Sequence, residues 1–400
     1  EPNRVITREA CGCLVVVNST AQPPATGAKY RGTVLAMTMD FARYHRQMLL
    51  PAFGEDGQAR LQDASVLILG CGALGSVAAD MLARAGVGHL VIVDRDFVEL
   101  TNLQRQVLFD EDDVAMALPK AIAAKQKIAK INSAIKVTAV VDDINHTNIE
   151  QHASGVDVLV DGLDNWETRY LANDLAVKNA RPYVYGAAVG TTGAIFPVLP
   201  YSTGAAPWET QAGGNFSTPC LRCLFGEAPP PGASATCDTV GVVGPAAAII
   251  ANFQVAEALK ILTGNFEHVR RKLLNIDLWA NEMPELSAGA SDNHGHCPCC
   301  RGRRFDYLDG KAGSSAATLC GRNAVQLRHR QQADSVDLGT IAERLGKHGK
   351  IIESEFMLRA FITEHNEEYE LTLFPDGRAI VNGTDDPGVA RSVYARFVGA

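Results

Sequence analysis

Residues 66–76 read VLILGCGALGS, and residues 93–106 read VDRDFVELTNLQRQ. The first stretch decides the fold. VLILG is a short, wholly apolar strand. Gly70, Gly72 and Gly75 fit G-x-G-x-x-G, and the spacing predicts a helix from Ala73 to Ala85. Glycine is needed where backbone N–H groups approach phosphate closely and the turn takes unusual φ/ψ. The helix N-terminus that follows favours negative charge. The next strand, HLVIVD (89–94), ends in Asp94, at the spacing of roughly 20 residues that suits an acid for a ribose hydroxyl. A tight strand–helix turn without a ligand would explain the glycines but not the acid, so nucleotide binding is the better reading. On this context alone a nicotinamide dinucleotide is the leading ligand.

The second stretch changes that balance. Asn102 and Arg105 lie just beyond Asp94, and Lys120 follows Pro119 at the start of another helix. Two cations and an amide near one phosphate site suit a triphosphate, which carries more charge than a dinucleotide bridge. Arg offers a planar fork to phosphate oxygens and Lys a point charge. The bland alternative is a solvated basic helix face. Asp164, in DGLDN, stands at the C-terminal end of a strand, where α/β sheets put ligand groups. A carboxylate there suits Mg²⁺ held with phosphate oxygens. Its structural alternative is to cap the helix starting near Trp166.

Working outward, KVTAVVDDI (136–144) and DVLVDGLD (157–164) read as further strands, and Lys120–Ile131 and Trp166–Asn179 as helices. Apolar strands alternating with helices predict an α/β fold: a Rossmann-like, mostly parallel sheet with helices on both faces. PYVYGAAVGTTGAIFPVL (182–199) reads as two β segments, 201–219 as a loop, GPAAAIIANFQVAEALKILTG (244–264) as a helix stopped at Gly264, and HVRRKLLNIDLWA (268–280) as a last strand. The expected organisation is 1–38 as a disordered or non-native extension, 39–302 as the catalytic domain, 303–314 as a linker, and 315–400 as a small C-terminal α/β domain. In that last part DLGTIAERLG (337–346) reads as a helix, YELTLFPDGRAIV (369–381) as a hairpin and PGVARSVYARFVG (387–399) as a helix.

Composition bounds the function. Apolar residues are 46% and charged residues 20% of the 400, enough for a large core. A net charge of −8 argues against a broad nucleic-acid surface, though not against a local basic pocket. No apolar run approaches the roughly 20 residues of a membrane helix, and Leu14–Val17 is too short for a signal-peptide core. A cytoplasmic protein is expected. Ten cysteines in a chain of this length do not make a secreted disulfide scaffold. Cys220 and Cys223 form one C-x-x-C, and Cys297 and Cys300 another; in the cytosol such pairs more often bind metal. Four thiolates would make a closed tetrahedral zinc site of structural type. The alternative is a redox-active pair. Cys299 breaks the two-residue spacing and reads as a bystander, and Cys71 as a small packing residue.

GCGALGS, VDRDFVELTNLQRQ, DGLDN, CLRC, GVVGP and CPCC occur in one order, behind an upstream RYHRQ. Together they resemble the ThiF/MoeB/HesA adenylyltransferases, bacterial relatives of the ubiquitin-activating enzymes, over about residues 40–302. The resemblance implies an enzyme that binds Mg·ATP and the Gly-Gly tail of a ubiquitin-like sulfur-carrier protein. The tail carboxylate attacks the α-phosphate, giving an acyl-adenylate and pyrophosphate. Sulfur delivery then yields a thiocarboxylate for thiamine, molybdopterin or related biosynthesis. By position it implies that Gly70, Gly72 and Gly75 line the phosphates, Asp94 holds the ribose, Asn102, Arg105 and Lys120 contact the triphosphate, and Asp164 holds Mg²⁺. Arg46 would reach into the other subunit's active site, which implies a homodimer. The resemblance also strengthens the assignment of Zn²⁺ to Cys220, Cys223, Cys297 and Cys300. In one branch of the family a cysteine at the place of Cys237 bonds covalently to the carrier; in another it is dispensable. A partly buried thiol is the alternative for Cys237.

Three features depart from the family pattern. The 201–219 loop is long, no rhodanese segment is evident, so a separate sulfur donor is expected, and residues 315–400 match only an uncommon extension. Competing functions are a nicotinamide-dependent Rossmann oxidoreductase, which leaves Arg105, Lys120 and the cysteine pairs unexplained, and a non-catalytic binder of ubiquitin-like proteins. A related dehydratase acting on a tRNA base shares much of the core, but the acidic balance disfavours it.

Overall fold

Short apolar runs that are buried on both faces build parallel strands, and this chain places five parallel strands side by side, the edge strand being the least buried. The computed structural model describes residues 4–8, 14–18, 39–202, 206–212, 214–226, 241–287, 296–312, 316–319, 323–327, 338–346, 349–364, 367–376, 378–387, 389–390 and 393. Residues 1–43 and 44–400 form two units. In the first, RVITR and LVVVN, rich in β-branched residues, pair antiparallel as β1 (Arg4–Arg8) and β2 (Leu14–Asn18). Weak periodicity did not announce this hairpin. Helix α1 (Met39–Ala42) follows.

The second unit opens with α2 (His45–Met48) and α3 (Gly54–Asp63). The sheet strands are β3 (Ser65–Leu69), β4 (His89–Val93), β5 (Lys136–Val140), β6 (Val158–Asp161), β7 (Tyr183–Val189), β8 (Thr192–Val198), β9 (Lys272–Asp277) and β10 (Glu285–Ser287). Their order is β10-β9-β8-β7-β6-β3-β4-β5. The run from β5 to β7 is parallel, and β8, β9 and β10 extend it antiparallel. The intervening helices are α4 (Ala73–Ala85), α5 (Glu111–Ala115), α6 (Lys120–Ile131), α7 (Ile149–His152) and α8 (Trp166–Lys178). The expected Rossmann-like sheet with helices on both faces is therefore present. Two apolar clusters fill its two sides. One centres on Ile68, Leu82 and Ile92, the other on Leu67, Leu159 and Phe196.

The chain runs from β3 outward through β4 to β5, then returns to place β6 on the other flank of β3. That reversal opens a crevice beyond the C-terminal ends of β3 and β6, the position at which such sheets take ligands.

After β8 come α9 (Pro207–Thr210), α10 (Leu221–Phe225) and α11 (Gly244–Thr263). The α9 turn lies in the stretch read as loop. Trp208 anchors it, buried against Phe266 with its indole N–H donating to Pro200 O at 3.0 Å. Gly264 caps α11 at φ 80°. Contrary to the expectation from apolar run lengths, α11 is long and apolar enough to cross a membrane. Here it packs on α4, β7 and β8, and its buried residues include Ala247, Ile250 and Ala258. A core helix meets the same compositional test.

Residues 303–312, read as linker, are packed down: Tyr307 stacks on Tyr170 at 5.3 Å and Leu308 is buried. The C-terminal part is an antiparallel sheet of β11 (Ala316–Leu319), β12 (Ala324–Leu327), β13 (Gly349–Glu353), β14 (Leu358–Glu364), β15 (Glu367–Leu373) and β16 (Ala379–Asn382). Its order is β11-β12-β16-β15-β14-β13. Helix α12 (Leu338–Leu345) joins its core with Leu358, Leu371 and Val381. The expected hairpin is β15 and β16, with Leu371 opposite Val381. The expected small domain of strands and helix is an antiparallel sheet with one helix that packs on it, among the described residues. Strands such as LRAFITE interleave charged with apolar side chains. Most of the expected closing helix, 387–399, lies outside the described residues.

Candidate functional site

Gly70, at φ +86°, ends β3 in a conformation that L side chains rarely adopt. A Cβ there would stand 2.6 Å from Gly162 O, so this glycine also lets the turns after β3 and β6 touch. A Cβ at Gly75 would fall 1.9 Å from Gly70 O, so the helix packs directly on the turn. Gly72 differs. A Cβ there would meet only Gln106 Nε2, at 3.9 Å. Gly72 is the N-cap of α4 and no side chain caps that helix end. Its open face and uncapped N–H groups fit an incoming phosphate.

Asp94, buried at the end of β4, ties the next loop to this turn. One carboxylate oxygen accepts from Cys71 N–H at 2.6 Å and the other from Asp96 N–H at 2.7 Å. Burial pushes its carboxyl up, against the pull of Lys120. Cys71 is wholly buried, and burial beside Asp94 pushes its thiol up as well, so it sits there as an inert packing residue.

Lys120 opens α6. Its Nζ lies 3.0 Å from Asp96 Oδ2 and its own N–H donates to Asp96 O at 2.9 Å. Asn102 is buried in a 3₁₀ turn (Leu100–Asn102), where its Oδ1 accepts from Glu99 N–H at 3.2 Å. Arg105 is half-buried, and its Nη1 donates to Thr101 O at 2.8 Å. Gln106, from the same NLQRQ stretch, is buried beside Gly72, and its Oε1 has no partner among the described residues. Buried amide oxygens are rarely left so, and the Nε2 of the same amide is the atom nearest the open face of Gly72.

Asp164 follows β6 and is exposed. The cap considered for it belongs to its neighbour: Asn165 Oδ1 accepts from Thr168 N–H at 2.8 Å. The loop carrying Asp164 is held from beneath by a buried pair. Asp161 accepts from Tyr183 Oη at 2.6 Å and from Arg169 Nε at 3.3 Å, and Arg169 Nη2 donates to Leu163 O at 2.6 Å. Burial pushes the Asp161 carboxyl up, opposed by the Arg169 guanidinium.

The structure thus gathers Gly70, Gly72, Gly75, Asp94 and Lys120, with the loops of Asn102 and Asp164, around one crevice. Arg46 stands apart, exposed on α2 without an ion pair or hydrogen bond to a described residue. Cys237 lies outside the described residues. Sequence reasoning missed Asp96, Gln106, Asp161 and Arg169. A charge inside an apolar strand was the available signal for Asp161.

A second centre lies on the other side of the sheet. The Sγ atoms of Cys220, Cys223, Cys297 and Cys300 all lie within 4.8 Å of one another and are buried. Cys220 is 3.8 Å from Cys223 and 3.6 Å from Cys297, and Cys223 is 3.4 Å from Cys300. A tetrahedral zinc at about 2.3 Å from each sulfur sets edges of about 3.8 Å, so the donor set fits that ion. Cys299 is not one of the four; it donates to Asp174 Oδ1 at 3.3 Å and accepts from Asn173 Nδ2 at 3.4 Å. Asp174 also accepts from Tyr307 N–H at 3.0 Å, and Asn173 from Leu221 N–H at 2.8 Å, so α8 clips both cysteine loops together.

Residues 44–299 match the ThiF family. The sulfur carrier protein ThiS adenylyltransferase of Bacillus subtilis is 42% identical over 357 residues, covering 89% of this chain and 99% of that protein. The sulfur carrier protein adenylyltransferase of Thermus thermophilus is 37% identical over 262 residues, 64% of this chain and 90% of that one. Among solved structures, Escherichia coli MccB with AMPCPP and MccA superposes at a TM-score of 0.52 and 25% identity, covering 64% of this chain and 74% of that one. With its switch-point crevice, its glycine turn and the extent of these matches, the chain belongs to the ThiF family.

Proposed function

We propose that this protein adenylylates the C-terminal Gly-Gly carboxylate of a ubiquitin-like sulfur carrier with ATP, for thiamine, molybdopterin or related sulfur transfer. The observation that carries the reading is the crevice at the ends of β3 and β6, where an open glycine helix cap faces fixed cations and acids. Its support from outside is the sulfur carrier adenylyltransferases to which the chain is similar along most of their length. A nicotinamide enzyme would account for Asp94 but gives no reason for Arg105, Lys120 or the two cysteine pairs.

Carboxylate and triphosphate repel, so the chemistry is chiefly one of positioning and charge. Backbone N–H groups at Gly72 and the start of α4 receive phosphate oxygens, and Asp94 receives the ribose. Lys120 and Arg105 neutralise the charge that collects as the carboxylate oxygen bonds to the α-phosphorus and the bond to pyrophosphate breaks. Asp164 would hold Mg²⁺, which when bound screens the phosphate oxygens. The four clustered cysteines would hold Zn²⁺ in a structural role, which makes metal binding part of folding. Arg46, exposed and without an ion pair to a described residue, is the residue we assign to a partner's crevice in a homodimer. We assign sulfur delivery to a separate donor protein and the enzyme to the cytosol, where thiols stay reduced.

The test is exchange of labelled pyrophosphate into ATP. Exchange should require a Gly-Gly carrier and vanish in Asp164→Ala. No exchange with any Gly-Gly carrier would refute the reading.

A further inference from the structure

The small C-terminal sheet is not a free appendage. It docks against the ends of β4 and β5, beside the loop that holds Asp94, Arg95 and Asp96. An apolar seat joins the two parts: Phe97 and Ala117 with Ala324, Met357, Phe374 and Ile380. Arg359 lies over the Phe97 ring at 4.2 Å, and Arg378 Nη2 donates to Val141 O at 3.2 Å. At the centre of the seat is a polar chain. Gln326, on β12 and buried, accepts from Arg95 Nη1 through its Oε1 and donates through Nε2 to Asp143 Oδ2 at 2.7 Å. Arg95 Nη1 also meets Asp143 Oδ1 at 2.8 Å, and Arg95 Nε lies 3.7 Å from Asp96 Oδ1. The second oxygen of Asp96 is the one that meets Lys120.

We propose that Gln326 is a positioning residue for the nucleotide, so that the C-terminal domain is a working part of the ATP site. The proposal rests on the reading of Lys120 as a phosphate-binding residue. Asp96 is shared between two cations, Arg95 and Lys120. Where Arg95 points therefore decides how fully Asp96 engages Lys120. Asp143 could hold Arg95 by charge alone, but one carboxylate leaves the guanidinium free to swing. Gln326 fixes both at once, donating to the acid and accepting from the cation. Asp164 adds to the negative field at Arg95, so the same cation balances the acid assigned to Mg²⁺. A residue more than 200 positions from the glycine turn thus sets the charge geometry beside it.

The experiment uses the full chain. Affinity for Mg·ATP is measured by calorimetry without carrier, and KM and kcat are then measured in the exchange assay. Gln326→Leu keeps much of the volume and removes both polar contacts. We expect ATP affinity to fall about fivefold or more, with KM for ATP rising and kcat and KM for carrier little changed. Met357→Ala loosens the same seat without touching the polar chain, and it should lower the thermal midpoint while leaving ATP affinity as in wild type. Equal loss of ATP affinity in both variants, or none in Gln326→Leu, would overturn the proposal. Wild-type protein gives a second reading that needs no variant to fold. Coupling is reciprocal, so Mg·ATP should slow amide exchange across Ala324–Leu327 as well as across the glycine turn. Protection of the turn without any at Ala324–Leu327 sinks the role of Gln326 alone. No protection of the turn sinks the reading of the nucleotide site, and this proposal with it.

Discussion

Gly72 and Gly75 are three residues apart and do different work. At Gly75 an added Cβ would overlap Gly70 O, so Gly75→Ala must push the helix off the strand turn and should lower the thermal midpoint by several degrees or prevent folding. At Gly72 the same methyl group would meet only Gln106 Nε2, in ordinary contact at 3.9 Å, and φ is −83°. Gly72→Ala should therefore melt close to wild type, yet bind ATP at least about tenfold more weakly, because the methyl occupies the phosphate's place. Paired thermal melts and ATP titrations check both, and equal melting of the two variants would contradict this division of labour. The glycines and Asp94 were legible from spacing within one strand–turn–helix unit. Asp96, Arg95 and Gln106 were not, because their partners come from distant strands or from the ligand face of the turn. Nothing within VDRDFVEL says that Arg95 will meet Gln326.

At the level of elements, the parallel strands are tied at one edge by His89. Its ring nitrogens lie 3.0 Å from Ser65 Oγ on β3 and 2.9 Å from Thr138 Oγ1 on β5. Burial, with Lys136 nearby, holds its pKa below the usual histidine value. The sign follows. The unfolded chain takes up the proton first as pH falls, so the His89 contribution is complete above the unfolded pKa of about 6.5 and is lost as pH drops through the lower folded value. His89→Gln should flatten that part of the stability–pH curve, as read by urea unfolding between pH 7 and 5 (roughly the histidine range). An unchanged slope would show that the ring is not sensed. The cysteine knuckle makes a separate demand. Cys297→Ser removes one ligand from a buried set of four and should cost more than about 3 kcal/mol, together with bound zinc. Zinc content and melting before and after chelation report on this. The helix and strand limits of the main sheet were readable from apolar period. Beyond the 369–381 hairpin, the C-terminal strands were hidden by charged residues between inward-facing ones, such as Arg359 between Leu358 and Ala360.

On the scale of the whole molecule, the exposed Arg46 and the crevice belong to one reaction only if two chains cooperate. Arg46→Ala and Asp164→Ala should each be inactive, but mixed dimers would carry one intact site. Random mixing would then restore about a quarter of wild-type exchange, as expected for a two-fold assembly. No recovery on mixing, in the presence of dimers, would remove Arg46 from the partner's site. On this reading the Rossmann-like sheet spends its nucleotide on a protein carboxylate. Intact-mass spectrometry of a Gly-Gly carrier, incubated with the enzyme and Mg·ATP, measures that directly. The carrier should gain the mass of one adenylate at its C-terminal residue, and that gain should vanish when the last glycine is removed. A carrier of unchanged mass, beside an enzyme that holds NAD and ignores ATP, would contradict the account.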